Sequence, residues 1–353
     1  MTKVSKQKDR VLAIDMGGRT TKAVHIQRRG ETFALCGYAL LDAPIFEKTM
    51  SIELLTEHLK AVNNAVDAKI KTAALSVGVN EGIVRHAEMP KMTTDDLRQV
   101  LKLNSRNYLQ QDLNNHLFDC HILAPALPAK GTDPAKPVPA GQQKQRILVA
   151  AAKRQLVDDL AAGARNAGLV AESIVPAMVG PTNAFERAMP EVFMNAIVAL
   201  IDIGFKSSSI CILQQGEIAL SRVVAIGGDK LTSGLAEALG ISYAEAEGIK
   251  VGMPSEVQMQ LENLVTPLAR ELRASIDFYE HQNDRAVTQA FITGGTARSE
   301  FIVQRLQQDL MVECKVLDAS NFLQFELTPQ QSAEIDQVGP QLSVAIGTAL
   351  AVL

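Results

Sequence analysis

The chain carries one short pattern twice, as IDMGGRTTK at residues 14–22 and as IDIGFKSSS at residues 201–209. In each copy an apolar run ends in Ile-Asp-x-Gly, and a basic residue, hydroxyl side chains and a second apolar run follow. The apolar runs predict buried strands, and the glycine allows a tight turn and a close approach of the backbone to a ligand. A duplicated hairpin of this kind predicts two similar lobes that face each other.

The first hairpin combines an acid, glycines and a lysine, a set that suits a phosphate accompanied by a divalent metal ion. Asp15 beside free backbone N–H groups would repel a bare phosphate. A magnesium ion resolves that conflict, because the N–H groups and Lys22 can hold phosphate oxygens while Asp15 holds the waters of the metal. Taken alone, this stretch is equally well explained as a hairpin turn that contains Asp and Gly. Its repetition around Asp202 favours a ligand site.

The predicted elements around the two repeats describe a mixed α/β chain. Residues 11–14, 22–27 and 32–40 predict three consecutive antiparallel strands, whereas a Rossmann unit would need a helix after the first strand. The same three-strand meander is predicted again within residues 196–224. The chain therefore duplicates a whole supersecondary unit and not only a turn.

Three segments of the C-terminal half carry further structural predictions. We expect Pro267 to kink or divide a long helix at residues 255–282, because proline removes a helical hydrogen bond. Residues 321–337 are polar and are expected to be irregular. Residues 341–353 are apolar on all sides, which predicts a buried closing helix.

Length and composition exclude several function classes. At 353 residues the chain exceeds the roughly 250–300 residues over which a single core keeps growing, so two or more domains are expected. A net charge of −4 gives no general reason to expect nucleic-acid binding. The four cysteines are far apart, as is typical of reduced thiols in a cytosolic protein. Because the longest apolar runs are strand-sized, no membrane span is expected.

The order of the motifs resembles that of the actin, sugar-kinase and heat-shock-chaperone ATPase superfamily. Besides the two hairpins, the resemblance includes Glu247 and Lys250, spaced as Glu-x-x-Lys, and the glycine turn at residues 294–297. Within the superfamily, nearly the whole chain resembles the type IV pilus assembly proteins of the PilM family, which are related to the division protein FtsA. The segments that carry this resemblance are LAIDMGGRTTKAV, ILVAAAKRQLVDDLAAGARNAGL, IDIGFKSSSICILQQGEI, AIGGDKLT, LARELRASIDFYE, FITGGTARSEF and SVAIGTALAV. The serine run usual in that family after Asp-x-Gly is here Gly18-Arg19-Thr20-Thr21.

The resemblance implies an α/β, actin-like (ribonuclease H-like) fold with duplicated lobes and an inserted α+β subdomain. The implied divisions are a first lobe at 1–80, completed by 176–188 and the C-terminal helix 341–353; an inserted subdomain at 81–175 with a flexible proline-rich loop at 125–145; and a second lobe at 189–340, whose helical part 228–282 contacts the nucleotide. We expect the cleft between the two lobes to be the ligand site.

The resemblance also implies that ATP and Mg²⁺ bind in this cleft. Asp15 and Asp202 would hold a hydrated magnesium ion from opposite sides. The implied nucleotide contacts are Gly17, Gly18, Thr20, Thr21 and Lys22 on the β- and γ-phosphates; Gly204, Ser207 and Ser208 on the phosphates from the second lobe; Gly228 near the α-phosphate or ribose; Glu247 and Lys250 at the ribose or adenine; and Gly294, Gly295 and Thr296 against the adenosine. Without their order along the chain, Glu247 and Lys250 would be explained as a surface helix pair and Gly294-Gly295 as a plain turn.

The function implied by the resemblance is that of a nucleotide-binding scaffold in type IV pilus assembly. Such a protein is expected in the cytoplasm, peripheral to the inner membrane through its partners. The implied partner is the N-terminal cytoplasmic tail of a PilN-like inner-membrane protein, docked in a groove between the first lobe and the insertion. Other inner-membrane pilus components are further expected partners, a homo-oligomer is left open, and nucleic acid is not expected.

Two other classes share the superfamily fold. A sugar-type small-molecule kinase needs a carboxylate base, for which Asp95, Asp96 and Asp112 are candidates, although a helix cap or a solvated face explains each of them. An FtsA-like filament former would carry a C-terminal amphipathic membrane helix, and residues 349–353 have no charged face. ATP hydrolysis is expected to be slow or absent, because the crossover helix begins at residues 176–178, Pro-Ala-Met, without the usual Gln or Glu.

Overall fold

A computed structural model of the protein describes residues 9–46, 49–125 and 143–353. Most of the predicted flexible loop at 125–145 lies outside these residues. The strands of the described part are β1 (Arg10–Met16), β2 (Thr20–Arg29), β3 (Thr32–Asp42), β4 (Thr72–Val77), β5 (Gly82–Pro90), β6 (His116–Ile122), β7 (Lys144–Lys153), β8 (Val170–Pro176), β9 (Ile197–Ile203), β10 (Ser208–Gln214), β11 (Glu217–Val224), β12 (Gln289–Thr293), β13 (Glu313–Val316) and β14 (Gln324–Phe325).

The helices lie mostly between these strands. They are α1 (Ile52–Val66), α2 (Thr94–Leu109), α3 (Arg154–Asn166), α4 (Gly180–Ala188), α5 (Pro190–Asn195), α6 (Gly228–Leu239), α7 (Tyr243–Gly252), α8 (Gln258–Asn283), α9 (Glu300–Leu310), α10 (Pro329–Val338) and α11 (Ser343–Leu350). In the described part of the chain, none of them is both long and apolar enough to cross a membrane.

Two sheets repeat one topology, which confirms the predicted duplication. The first sheet has the strand order β14-β3-β2-β1-β4-β8, and the second has the order β11-β10-β9-β12-β13. In both, an antiparallel three-strand meander continues into two parallel strands on the side of its first strand. Strand β14 adds one short parallel partner to β3. The fold is therefore actin-like (ribonuclease H-like), with duplicated lobes.

The third sheet, with the order β5-β7-β6, is antiparallel and packs against α2. Strand β8 lies within the predicted insertion 81–175, yet it pairs in parallel with β4 of the first sheet. Helix α3 likewise packs on α1 of the first lobe. The third sheet and its helix consequently occupy only residues 82–153 of that insertion.

Strand periodicity explains how β1 supports packing on both faces of the first sheet. Successive side chains of a strand point to opposite faces. Leu12 and Ile14 accordingly pack in the cluster that contains α1 and α3, whereas Val11 and Ala13 pack in the cluster that contains α11. Because both faces are covered by helices, β1 is a central strand whose C-terminal end, at Asp15, is held firmly.

Two of the predictions for the C-terminal half differ from the structure. Helix α8 continues through Pro267 as one helix, so of the two predicted outcomes, a kink or a division, the division is absent. Buried Val265 and Leu268, on either side of Pro267, pack into one core. Helix α10 occupies part of the segment predicted to be irregular. Thr328 and Gln331 form a capping box at its start, and Ile335 buries one face. The buried closing helix is present as α11.

Helices α4 and α11 cross in direct backbone contact. A Cβ atom built on Gly180 would lie 2.8 Å from the carbonyl oxygen of Val344, and one built on Gly347 would collide with the carbonyl of Gly180. Helix α4 follows β8 of the first sheet and precedes β9 of the second. The crossing therefore fixes the connection between the two lobes.

We expect Gly347→Ala to lower the free energy of unfolding by more than about 3 kcal/mol, because the added methyl group has no space at the crossing. The matched control is Gly248→Ala in α7, where no atom of the described residues lies within 4 Å of an added Cβ. This control should raise the free energy of unfolding by about 0.5–1 kcal/mol through helix propensity. Urea denaturation measures both changes, and equal effects would contradict the packing described here.

Candidate functional site

The turns of the two hairpins meet at the cleft between the first two sheets. Gly18 lies close to the second hairpin, since a Cβ built on it would be 3.5 Å from the ring of Phe205. Asp15 is opposite Lys22 in the β1–β2 ladder, and Asp202 is opposite Ser209 in the β9–β10 ladder. The duplicated sequence therefore places two carboxylates, those of Asp15 and Asp202, at one cleft.

The Asp15 carboxylate is held from two sides. It is 6% exposed, and its Oδ1 accepts a hydrogen bond of 2.8 Å from Ser76 Oγ at the end of β4. Its Oδ2 accepts from the Lys22 ammonium at 3.3 Å. Because Ser76 and Lys22 lie on the two strands that flank β1, the sheet itself fixes the carboxylate.

The second carboxylate is electrostatically unfavourable in the ligand-free protein. Burial raises the pKa of Asp202 from 3.8 to about 6; the ammonium of Lys22 opposes this shift, and the charge of Asp15 adds to it. Two carboxylates thus interact with a single ammonium. A hydrated divalent cation between them would remove the excess negative charge, so the residues present fit magnesium.

Glycines line the cleft where side chains would obstruct it. A Cβ on Gly17 would lie 2.6 Å from both Lys22 Nζ and the carbonyl oxygen of Thr20. Gly294 has a φ of +90°, and a Cβ there would collide with the carboxylate of Asp202. The turn after β12 consequently reaches the acidic centre through backbone atoms alone.

Glu247 and Lys250 form an ion pair in which Lys250 is buried and Glu247 is partly exposed, which differs from a pair on a solvated helix surface. Lys250 is 2% exposed and donates hydrogen bonds of 2.8 Å to Glu247 Oε2 and to Thr232 Oγ1. Burial lowers the pKa of Lys250, although Glu247 opposes that shift. Burial tends to raise the pKa of Glu247, but hydrogen bonds from Lys250 and Thr232 hold it below its ordinary value.

The pair is continuous with the glycine turn. A Cβ on Gly228 would lie 2.6 Å from Thr296 Oγ1 and 3.6 Å from Lys250 Nζ, so these three residues converge. Ser299, just after that turn, donates a 2.8 Å hydrogen bond to the carbonyl of Lys250. A Cβ on Gly295, by contrast, would have only Gln341 within 4 Å, at 3.8 Å.

Two of the residues predicted to contact phosphate, Thr21 and Ser208, have hydroxyl groups that are engaged elsewhere in the protein. The Thr21 hydroxyl lies 2.7 Å from His58 Nε2 of α1, on the face of β2 opposite to Lys22. The Ser208 hydroxyl donates to the carbonyl of Ile226 at 2.7 Å. The hydroxyl groups of these two residues are therefore engaged within the protein.

Ser207 is placed differently, because it contacts the linker that leads into the third sheet. Its hydroxyl accepts a hydrogen bond of 3.1 Å from Asn80 Nδ2. Asn80 lies between β4 of the first sheet and β5 of the third. The second hairpin, which includes Gly204 at its turn, is therefore hydrogen-bonded to the linker that precedes the third sheet.

Sequence reasoning missed several residues of the site. Ser209 could have been found by aligning the two repeats, since it occupies the position of Lys22. Ser76 could have been found because it ends β4, the parallel neighbour of the strand that carries Asp15. Two more residues of the site make contacts that no local sequence pattern predicts, because these contacts depend on how the lobes are arranged. They are Asn80, which binds Ser207, and Arg19, which contacts Glu247 across the cleft.

Comparison with known proteins gives one family match over almost the whole chain. The model for the family "Type IV pilus assembly protein PilM" matches residues 13–352. Among curated proteins, cell division protein FtsA of Bacillus subtilis (strain 168) is 30% identical over 119 residues. That alignment spans 34% of this chain and 26% of FtsA, so the similarity to FtsA covers only part of either protein.

Solved structures show the same fold over nearly the full length. A chain of a "PilM-PilN type IV pilus biogenesis complex" superposes with a TM-score of 0.81 at 19% identity, covering 98% of this chain and 99% of that one. MreB5 of Spiroplasma citri bound to ADP superposes with a TM-score of 0.52 at 11% identity, covering 97% and 96%. Both similarities concern the fold.

The raised pKa of Asp202 leads to a stability prediction. Between pH 4 and 6 the folded protein keeps a proton on Asp202 that the unfolded chain releases, so this group's stabilising contribution falls as pH rises to about 6. We expect Asp202→Asn to raise the free energy of unfolding of the ligand-free protein by about 1–2 kcal/mol at pH 8 and by less at pH 5.

Urea denaturation at the two pH values measures this difference. The matched control is Asp158→Asn, which removes an exposed carboxylate of α3 and should give no gain at either pH. A gain for Asp202→Asn at pH 5 that equals or exceeds its gain at pH 8 would show that this carboxylate carries no desolvation cost.

Proposed function

Because this chain belongs to the family of type IV pilus assembly proteins PilM, we propose that it is a cytoplasmic scaffold of pilus assembly that binds Mg²⁺–ATP between its two lobes. The observation that carries the nucleotide proposal is that the two hairpin turns meet, with Gly18 beside Phe205, so that Asp15, Asp202 and Lys22 are near enough to influence one another's charge. Two acids from duplicated hairpins have no structural need to share a cleft, whereas a metal-bound polyphosphate requires such an arrangement.

We assign the ligand's parts to different walls of the cleft. The phosphates would lie against the two hairpin turns, with Lys22 as a cation from the first lobe. The ribose or adenine would lie near Gly228, Thr296 and the Glu247–Lys250 pair. When bound, magnesium would screen the phosphate charge; Asp15 and Asp202 would hold its waters. The solved MreB5, which has this fold, holds ADP.

Binding is proposed to outweigh hydrolysis. In-line attack on the γ-phosphate needs an oriented water molecule and usually a side chain that positions it. The crossover segment starts with Pro176 and continues with buried Ala177 and Met178, none of which can activate water. Steady-state phosphate release should accordingly stay below about 1 per second.

The kinase alternative is not favoured, because its candidate bases are engaged elsewhere. Asp95 contacts Arg98 at 2.9 Å, and Asp112 contacts Arg106 at 2.6 Å. Asp96 accepts a hydrogen bond from the capping residue Thr93 at 2.6 Å. All three carboxylates belong to α2 or the turn that follows it, in the inserted subdomain.

Calorimetry with Mg²⁺–ATP tests the nucleotide proposal. We expect wild-type protein to bind, and Asp15→Ala and Asp202→Ala each to weaken the affinity by at least about tenfold, because each removes half of the metal site. Glu186→Ala, which removes an exposed acid on α4, is the matched control and should bind as wild type does. Unchanged affinity in both aspartate variants would refute the site.

The partner that we propose is the N-terminal cytoplasmic tail of a PilN-like inner-membrane protein, which would also place the scaffold at the membrane periphery. The solved relative of the same fold comes from a PilM-PilN complex. The tail would dock between the first lobe and the third sheet, whose β6 pairs only with β7 in the described part of the chain. A nucleotide that engages Ser207 would reposition this sheet through Asn80.

A pull-down with an immobilised tail peptide tests the partner proposal. We expect the chain to associate, and Mg²⁺–ATP to change the affinity because the third sheet is tied to the second hairpin. Asn80→Ala should reduce the effect of the nucleotide while leaving association intact. Absence of association both with and without nucleotide would exclude this partner.

A further inference from the structure

Arg19, at the tip of the first hairpin, reaches across the cleft to the second lobe. Its guanidinium lies 3.6 Å from Glu247 Oε2 of α7. The same group lies 5.2 Å from the ring centroid of Tyr243 and 5.8 Å from that of Phe205. A single side chain of the phosphate hairpin thus contacts the proposed ribose side of the site and the second hairpin together.

This contact is placed where a ligand would compete for it. Arg19 is preceded by Gly17 and Gly18 and followed by Thr20, so it belongs to the turn proposed to receive the phosphates. Its side chain is 43% exposed, and its ion-pair distance is long, so the contact is weak. Glu247 already has two closer partners, in Lys250 and Thr232, and it would remain satisfied if Arg19 left.

We propose that Arg19 is a phosphate-binding residue. When nucleotide binds, its guanidinium leaves Glu247 and binds the polyphosphate instead, an exchange of partners. This inference rests on the proposed nucleotide function and assigns a role to the basic residue of the first repeat, which is not among the predicted nucleotide contacts. A guanidinium binds phosphate oxygens in bidentate fashion and more strongly than it holds one partly exposed carboxylate. The release of Glu247 then frees its carboxylate for a ribose hydroxyl.

The exchange also links ligand binding to lobe contact. The Arg19–Glu247 ion pair and the contacts with the two rings join the first lobe to the second in the ligand-free protein. After the exchange, the ligand itself would join the lobes through the same arginine. Lys206 stands at the corresponding position of the second repeat, is exposed, and so supplies a charge-matched control.

The test uses the full chain and two probes, Mg²⁺–ATP and Mg²⁺–tripolyphosphate, the second of which has no ribose. By calorimetry, Arg19→Ala should weaken the binding of both by about tenfold, and Arg19→Lys should give a smaller loss. Glu247→Gln should tighten tripolyphosphate binding about threefold, since it releases Arg19. In the Arg19→Ala background that gain should fall below about 1.5-fold, whereas in the Lys206→Ala background it should persist.

Each other outcome counts against the exchange. An equal gain from Glu247→Gln with and without Arg19 would mean that only general charge repulsion was removed. If the wild-type protein binds Mg²⁺–ATP and Arg19→Ala binds it with the same affinity, the exchange is overturned. The exchange is also overturned if the wild-type protein binds Mg²⁺–ATP but not Mg²⁺–tripolyphosphate. In both cases the nucleotide proposal stands. Failure of wild-type protein to bind Mg²⁺–ATP would instead overturn the nucleotide proposal itself.

Discussion

Two carboxylates and one ammonium share the cleft of this protein, and the rest of the structure keeps them there. Asp15 and Asp202 end the central strands of two sheets with the same strand order. Burial and the neighbouring acid raise the pKa of Asp202, and shifts of this kind are concentrated at functional sites. We therefore propose that a divalent cation binds between these carboxylates.

Three of the connections between the lobes are chemically distinct. The α4–α11 crossing is a close backbone contact without room for a side chain. The Asn80–Ser207 hydrogen bond and the Arg19–Glu247 ion pair are polar and lie at the cleft. Rigid packing on one side and exchangeable polar contacts on the other favour motion about the crossing. A ligand between the hairpins acts on the exchangeable contacts, which include the one leading to the third sheet.

The sequence predicted the parts of the fold that follow from its repeated local pattern. It did not predict features that depend on packing between distant elements. The duplicated hairpins predicted both meanders, because apolar runs, glycines and acids recur at the same spacing. The predicted phosphate contact of the Thr21 hydroxyl does not account for His58. The hydroxyl contacts His58 because α1 covers that face of the sheet, and the local sequence does not show this. Helix α10 was missed although Thr328 and Gln331 gave a capping signal. Strand β8 could be placed beside β4 only from the sheet order.

The most direct test is to locate the metal itself. Crystals of the protein with Mn²⁺ in place of Mg²⁺ and a non-hydrolysable ATP analogue would show the ion by anomalous scattering. The account predicts one peak between the carboxylates of Asp15 and Asp202, with the phosphates against the two hairpin turns. A peak elsewhere, or a nucleotide bound outside this cleft, would contradict it.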